Sequence, residues 1–138
     1  MSDTWTGDAA GILPADASDA LLVGRVQTPA GPSVVVLRDG ILHDLSATFP
    51  TMTALTESAD PAAAARAADG PSLGAFADVW ANTAPDTRDD AHPWLLSPID
   101  LQVVKASGVT FPVSMLERII EEKARGEVVG VDLASDEA

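Results

Sequence analysis

Large aliphatic side chains fall in short runs along this chain, and the spacing within the runs predicts which element each forms. Leu21-Leu22-Val23-Gly24-Arg25-Val26 and Ser33-Val34-Val35-Val36-Leu37 are β-branched and aliphatic runs separated by Pro29-Ala30-Gly31-Pro32, which predicts a hairpin. Asp39-Gly40 is a strong two-residue turn signal ahead of Ile41-Leu42-His43-Asp44-Leu45. Together these runs predict an antiparallel β-meander over about 21–45. From Thr51 the period becomes helical: Met52, Leu55 and Thr56 follow a Thr51 or Ser46 cap, and Pro61 opens an alanine-rich stretch that Gly70-Pro71 ends. A further helix is expected from Ser72 to Trp80, with Leu73, Phe76, Val79 and Trp80 on one face, followed by a polar loop from Asn82 to His92. These helices, over about 51–81, are expected to cover the meander.

Trp94-Leu95-Leu96 and Leu101-Gln102-Val103-Val104-Lys105 read as short buried strands around a Ser97-Pro98 bend, so strands are expected within 94–105. Gly108 permits a tight turn before Phe111-Pro112, Pro112 suits a first helical position, and Thr110 is a candidate cap. An amphipathic helix over 112–125 then turns Val113, Leu116, Ile119 and Ile120 toward a core and Glu121, Glu122, Lys123 and Arg125 toward solvent, ending at Gly126. Residues 1–19 follow neither period and read as a flexible tail, and 127–138 as an acidic tail. The fold class expected is α+β, with one domain over 20–126.

Charge and composition narrow the function. Eight Lys and Arg against 21 Asp and Glu give a net charge of −13, which argues against nucleic acid and against anionic membrane surfaces, both of which require cations. No cysteine is present, so disulfides and thiolate metal sites are excluded. The N-terminal residues lack the basic and apolar regions of a secretory signal, and no stretch approaches the ~20 apolar residues of a membrane span; the expectation is a cytoplasmic protein.

Candidate chemistry is sparse. His43 and His92 are far apart and lack the spacing of a zinc site, and Asp86, Asp89 and Asp90 lack the alternation, glycine and closing Glu of a calcium loop. There is no phosphate-binding Gly-rich loop before a helix and no Gly-x-Ser-x-Gly elbow. Glu117 stands out, because it lies between Val113 and Ile120 on the apolar side of its helix, where a carboxylate is disfavoured unless paired or functional.

The run from Ser97 through Lys105-Ala106-Ser107-Gly108-Val109-Thr110-Phe111, with Ser114 and Glu117 on the following helix, resembles the active-site entry segment of fumarylacetoacetate hydrolase family enzymes. The likeness is greatest to the bacterial sugar-acid branch, the 2-keto-3-deoxy-pentonate dehydratase-like proteins. It covers roughly Val23 to Gly126, with specific motifs only from Leu96 to Gly126. The resemblance implies a small N-terminal domain, a catalytic role for Glu117, a substrate-pocket role for Lys105, Gly108, Val109, Thr110 and Phe111, and Ser114 standing where many members carry the catalytic His. A hydroxyl cannot replace imidazole as a base near neutrality, so a His/Glu dyad acting on water is put in doubt. The dehydration the branch performs needs a proton removed beside the 2-keto group and acid assistance to the leaving hydroxyl, roles Glu117 could share with a metal-polarised carbonyl.

Family members bind Mg2+ through a Glu-x-Glu pair and a later Asp in a β-rich C-terminal domain. The resemblance leads to the expectation that this domain is missing from the chain, and adjacent Glu121-Glu122 do not reproduce the pair's spacing, so no metal or cofactor is expected in this chain. The expectation is therefore the N-terminal part of a metal-dependent lyase or hydrolase of 2-keto acids, inactive alone, with 127–138 starting the missing domain. The alternative is a non-catalytic partner or assembly module, its partner being a separate C-terminal domain or a second copy.

Overall fold

The computed structural model describes residues 8–106 and 112–133, and the chain forms two units, Met1–Gln102 and Val103–Ala138. The first unit is α+β, as expected. Its sheet holds β1 (Leu22–Thr28), β2 (Gly31–Arg38), β3 (Ile41–Asp44), β4 (Ser72–Ala75) and β5 (Trp94–Leu96), in the spatial order β4-β3-β2-β1-β5 and antiparallel throughout. The α-helices among its described residues are α1 (Ala9–Ile12), α2 (Met52–Thr56), α3 (Pro61–Ala67) and α4 (Phe76–Ala81), with a 3-10 turn at Pro85–Thr87.

The meander forms where the sequence predicts it. Thr28 pairs with Gly31, leaving Pro29 and Ala30 as a two-residue loop. At the second turn Asp39 and Gly40 both take positive φ, 49° and 77°, the backbone a tight hairpin demands of its two central residues.

β2 buries Val34, Val35 and Val36 in succession because the sheet is covered on both faces. Val34 and Val36 pack with Leu45, Met52, Leu55 and Ala65, beneath α2 and α3. Val35 faces the other way and packs with Val26, Leu42 and Val79, beneath α4.

Side-chain caps place the covering helices. The Thr51 hydroxyl accepts from the Ala54 N–H at 3.0 Å, and the Asp60 carboxylate accepts from the Ala63 N–H at 2.9 Å ahead of Pro61; such caps contribute about 1 kcal/mol each. Arg38 reaches across from β2 and donates to the carbonyls of Ala65 at 2.9 Å and Ala68 at 2.6 Å, satisfying the C-terminal end of α3. Beyond α3 the chain returns so close to β3 that a Cβ on Gly70 would lie 1.6 Å from the Asp44 carbonyl oxygen.

Three expectations are corrected. The helix expected from Ser72 to Trp80 is strand β4 followed by α4, because Gly74 has φ +104°, outside helical space, and β4 pairs with β3. The strand expected over Leu101–Lys105 is a bend followed by irregular chain, with Leu101 75%, Val103 83% and Val104 71% exposed. Here side chains replace the ladder locally: the Asp100 N–H donates to Gln102 Oε1 at 2.7 Å and the Leu101 N–H to Asp100 Oδ1 at 2.7 Å. In the second unit, α5 (Pro112–Leu133) begins at Pro112 as predicted but runs past Gly126, its expected end. A glycine costs a helix interior about 1 kcal/mol relative to alanine and does not by itself stop it.

The stretch 1–19, read as a tail, carries in its described part helix α1, which is capped by Asp8. Thr110, the candidate cap of α5, lies outside the described residues, as do 134–138. No helix among the described residues is long and apolar enough to cross a membrane.

Candidate functional site

The segment singled out by its sequence starts at Ser97, directly after β5, and the first unit holds it there through two side chains. Arg25, on β1, passes alongside β5 and donates through its terminal guanidinium nitrogen to the carbonyls of Ser97 at 3.2 Å and Ile99 at 2.9 Å. Its Nε lies 3.5 Å from Asp100 Oδ2, with the two side chains 17% and 11% exposed. Asp100 closes the arrangement. Its Oδ2 accepts from the Met52 N–H at 2.6 Å, and its Oδ1 from the Thr53 N–H at 3.1 Å and the Thr53 hydroxyl at 2.7 Å.

A single carboxylate therefore ties the first turn of α2, the edge of β1 and its own segment together. Desolvation raises the Asp100 pKa, but the bonds from the Thr53 hydroxyl and from the N–H groups of Leu101, Met52 and Thr53 outweigh it. The carboxyl is held well below the ordinary aspartate value of 3.8 and stays ionised near neutrality. A cavity of about 280 Å³ opens beside this clasp, between Arg25, Ser33, Thr51 and Asp100.

A second polar cluster holds the loop before β5. The Asn82 side chain accepts from the Asp89 N–H at 2.7 Å and donates to the carbonyls of Asp89, His92 and Pro93. Thr83 links α4 to β5, donating to Val79 and accepting from the Leu95 N–H at 2.9 Å. The Arg88 guanidinium lies 4.7 Å over the Trp94 ring. Bonds from the Ala91 N–H and from His92 hold Asp89 below the usual carboxylate range. These contacts organise the loop rather than leaving a reactive group poised.

The residues named from sequence fare differently from the clasp. Gly108, Val109, Thr110 and Phe111 lie outside the described residues, as does the side chain of Ser114. Lys105 and Glu117 are described and exposed. The flanking Val113 and Ile120, expected to face a core, are 68% and 65% exposed, so Glu117 is not a carboxylate buried among apolar side chains in this structure.

Arg25 and Asp100 were missed because their partners lie 47 to 75 positions away in the sequence, where no local spacing signals them. His43 Nδ1 lies 3.2 Å from the Gly70 carbonyl oxygen, linking β3 to the chain just ahead of β4.

Glu121 and Glu122 are consecutive on α5, about 100° apart around the axis, and cannot converge on one ion. Among the described residues no three His, Cys, Asp or Glu lie together as a metal-holding group. No family model, curated protein or solved structure matches the chain.

Proposed function

We propose that this chain is a scaffold domain of an enzyme acting on 2-keto acids, one that delivers an active-site segment and does not turn over substrate by itself. Within that class the family is that of fumarylacetoacetate hydrolase, and the branch is the sugar-acid dehydratases. The observation that carries the reading is the clasp of Arg25 and Asp100. It fixes Ser97 to Gln102, the lead-in to the segment whose sequence resembles the family's pocket edge, at a defined place on a packed sheet.

In this reading Lys105 and Gly108 to Phe111 border the substrate, and Glu117 supplies the carboxylate that takes the proton beside the 2-keto group. Ser114 contributes a hydrogen bond and no base, since its hydroxyl does not ionise near neutrality. The metal-binding carboxylates come from another domain.

The test is metal-dependent dehydration of a 2-keto-3-deoxy sugar acid, assayed with the chain alone and with a separately expressed C-terminal domain from a dehydratase of this family. The expected result is turnover in the mixture only, lost in Glu117→Gln. Turnover by the chain alone overturns the claim that it does not act by itself; a mixture that neither associates nor reacts overturns the family reading. A non-catalytic role as a partner or assembly module is the second reading, favoured by the exposed apolar stripe of α5.

A further inference from the structure

Gly24 lies inside β1 with none of the usual local reasons for a glycine. It pairs with Val35 in regular register, its φ is not positive, and a Cβ built on it would meet no atom within 4 Å. A glycine weakens a strand interior, and where neither a bulge nor a close backbone explains it, the remaining use is to let a ligand approach the sheet. Because Gly24 stands opposite Val35, a side chain there would point to the face that α4 covers. The space it would enter is part of a cavity of about 320 Å³ lined by Ile12, Leu22, Leu37, Leu42, Phe76 and Leu95, among others. Leu37, Phe76 and Leu95 pack against the core cluster of this face yet stay only half-buried. The apolar layer is therefore incomplete over Gly24.

We propose that this cavity binds a small apolar molecule, laid against the backbone of Gly24. The lining selects the chemistry. Arg25 is the one lining residue with a polar side chain, and its guanidinium is already engaged by Ser97, Ile99 and Asp100. A charged or hydrogen-bonding group buried here would give up its water without gaining a side-chain partner. A hydrocarbon body gives up nothing and completes the apolar layer. Size sets the limit: an engineered cavity of about 150 Å³ walled by Leu, Ile and Phe takes up benzene, and the larger space over Gly24 has room for a fused two-ring aromatic or a short alkyl chain. Ile12 and Val23, both exposed, lie in the lining and leave the cavity open to solvent, so a ligand enters without unfolding the sheet. The proposal is independent of the catalytic reading.

The test is an NMR titration of the methyl groups of the full chain with naphthalene and, separately, with 1-hexanol, the two probes distinguishing a ring from a chain. Saturable shifts are expected at Leu22, Leu37, Leu42 and Leu95 with at least one probe, while Leu45 and Leu55 on the opposite face of the sheet stay unmoved. Gly24→Val, whose side chain fills the space, should bind at least about tenfold more weakly and melt at a higher temperature than the wild type. Gly24→Ala adds a single methyl group, keeps the comparison open if the valine disturbs the fold, and should weaken binding to a smaller extent. A wild-type chain that responds to neither probe overturns the proposal, as do shifts scattered over both faces of the sheet, which mark adventitious contact only. Affinity unchanged in folded Gly24→Val, or in Gly24→Ala where the valine variant does not fold, overturns the placement over Gly24.

Discussion

Val34-Val35-Val36 on β2 and Val103-Val104 after the clasp read alike in sequence, yet the first three are 0–1% exposed and the other two 71–83%. The difference lies in what flanks them. β2 has hydrogen-bonded neighbours on both edges and helices over both faces, so each valine finds apolar partners. The stretch after Leu101 forms no strand, and just ahead of it the side chains of Gln102 and Asp100 take the N–H groups of Asp100 and Leu101 that a ladder would need. β-propensity is a fit to a half-buried pleated surface, and without that surface it fixes nothing.

The largest effect should come from the packed region. Leu55→Ala removes a side chain 1% exposed in the cluster under α2 and α3. The expected loss is about 2–5 kcal/mol in chemical denaturation, against less than about 0.5 kcal/mol for Val104→Ala. Equal losses at the two sites would remove the contrast. Gly70→Ala comes next, because its methyl group would collide with backbone, the Asp44 carbonyl, rather than with a side chain that can move. A loss of about 3 kcal/mol is expected, and a neutral outcome would show that the chain between α3 and β4 shifts freely.

The clasp adds a pH signature. Asp100 has its pKa lowered in the folded state, so its contribution is fully present above the ordinary aspartate value of 3.8 and is lost as the pH falls below it toward the folded value. Thermal melts from pH 6 down to pH 2 should therefore fall less steeply for Asp100→Asn than for the wild type. Thr51→Ala is the mildest change in the first unit. It removes one cap of α2 and is expected to cost about 1 kcal/mol.

The meander was legible in the sequence because its signals are local. Asp39-Gly40 can satisfy its turn from two residues, and Pro61 behind Asp60 marks a helix start within a few. What escaped was non-local. The helical spacing of Leu73, Phe76, Val79 and Trp80 concealed that Gly74 takes a positive φ and that β3 had a free edge for Ser72–Ala75 to pair with. The segment from Ser97 stood out in sequence for residues near Gly108 and Glu117, while the side chains that anchor it, Arg25 and Asp100, meet only once β1, α2 and β5 are assembled. Apolar periodicity signalled a helix from Pro112 but carries no information about what covers its apolar side chains.

The central claim, that Asp100 pins the lead-in segment to the first unit, is tested most directly by amide hydrogen exchange of Met52, Thr53 and Leu101, the N–H groups its carboxylate accepts from. In Asp100→Asn these amides should exchange markedly faster than in the wild type, while those of β1 and β2 keep their protection. Unchanged exchange at all three, with the sheet equally protected in both proteins, would contradict the account.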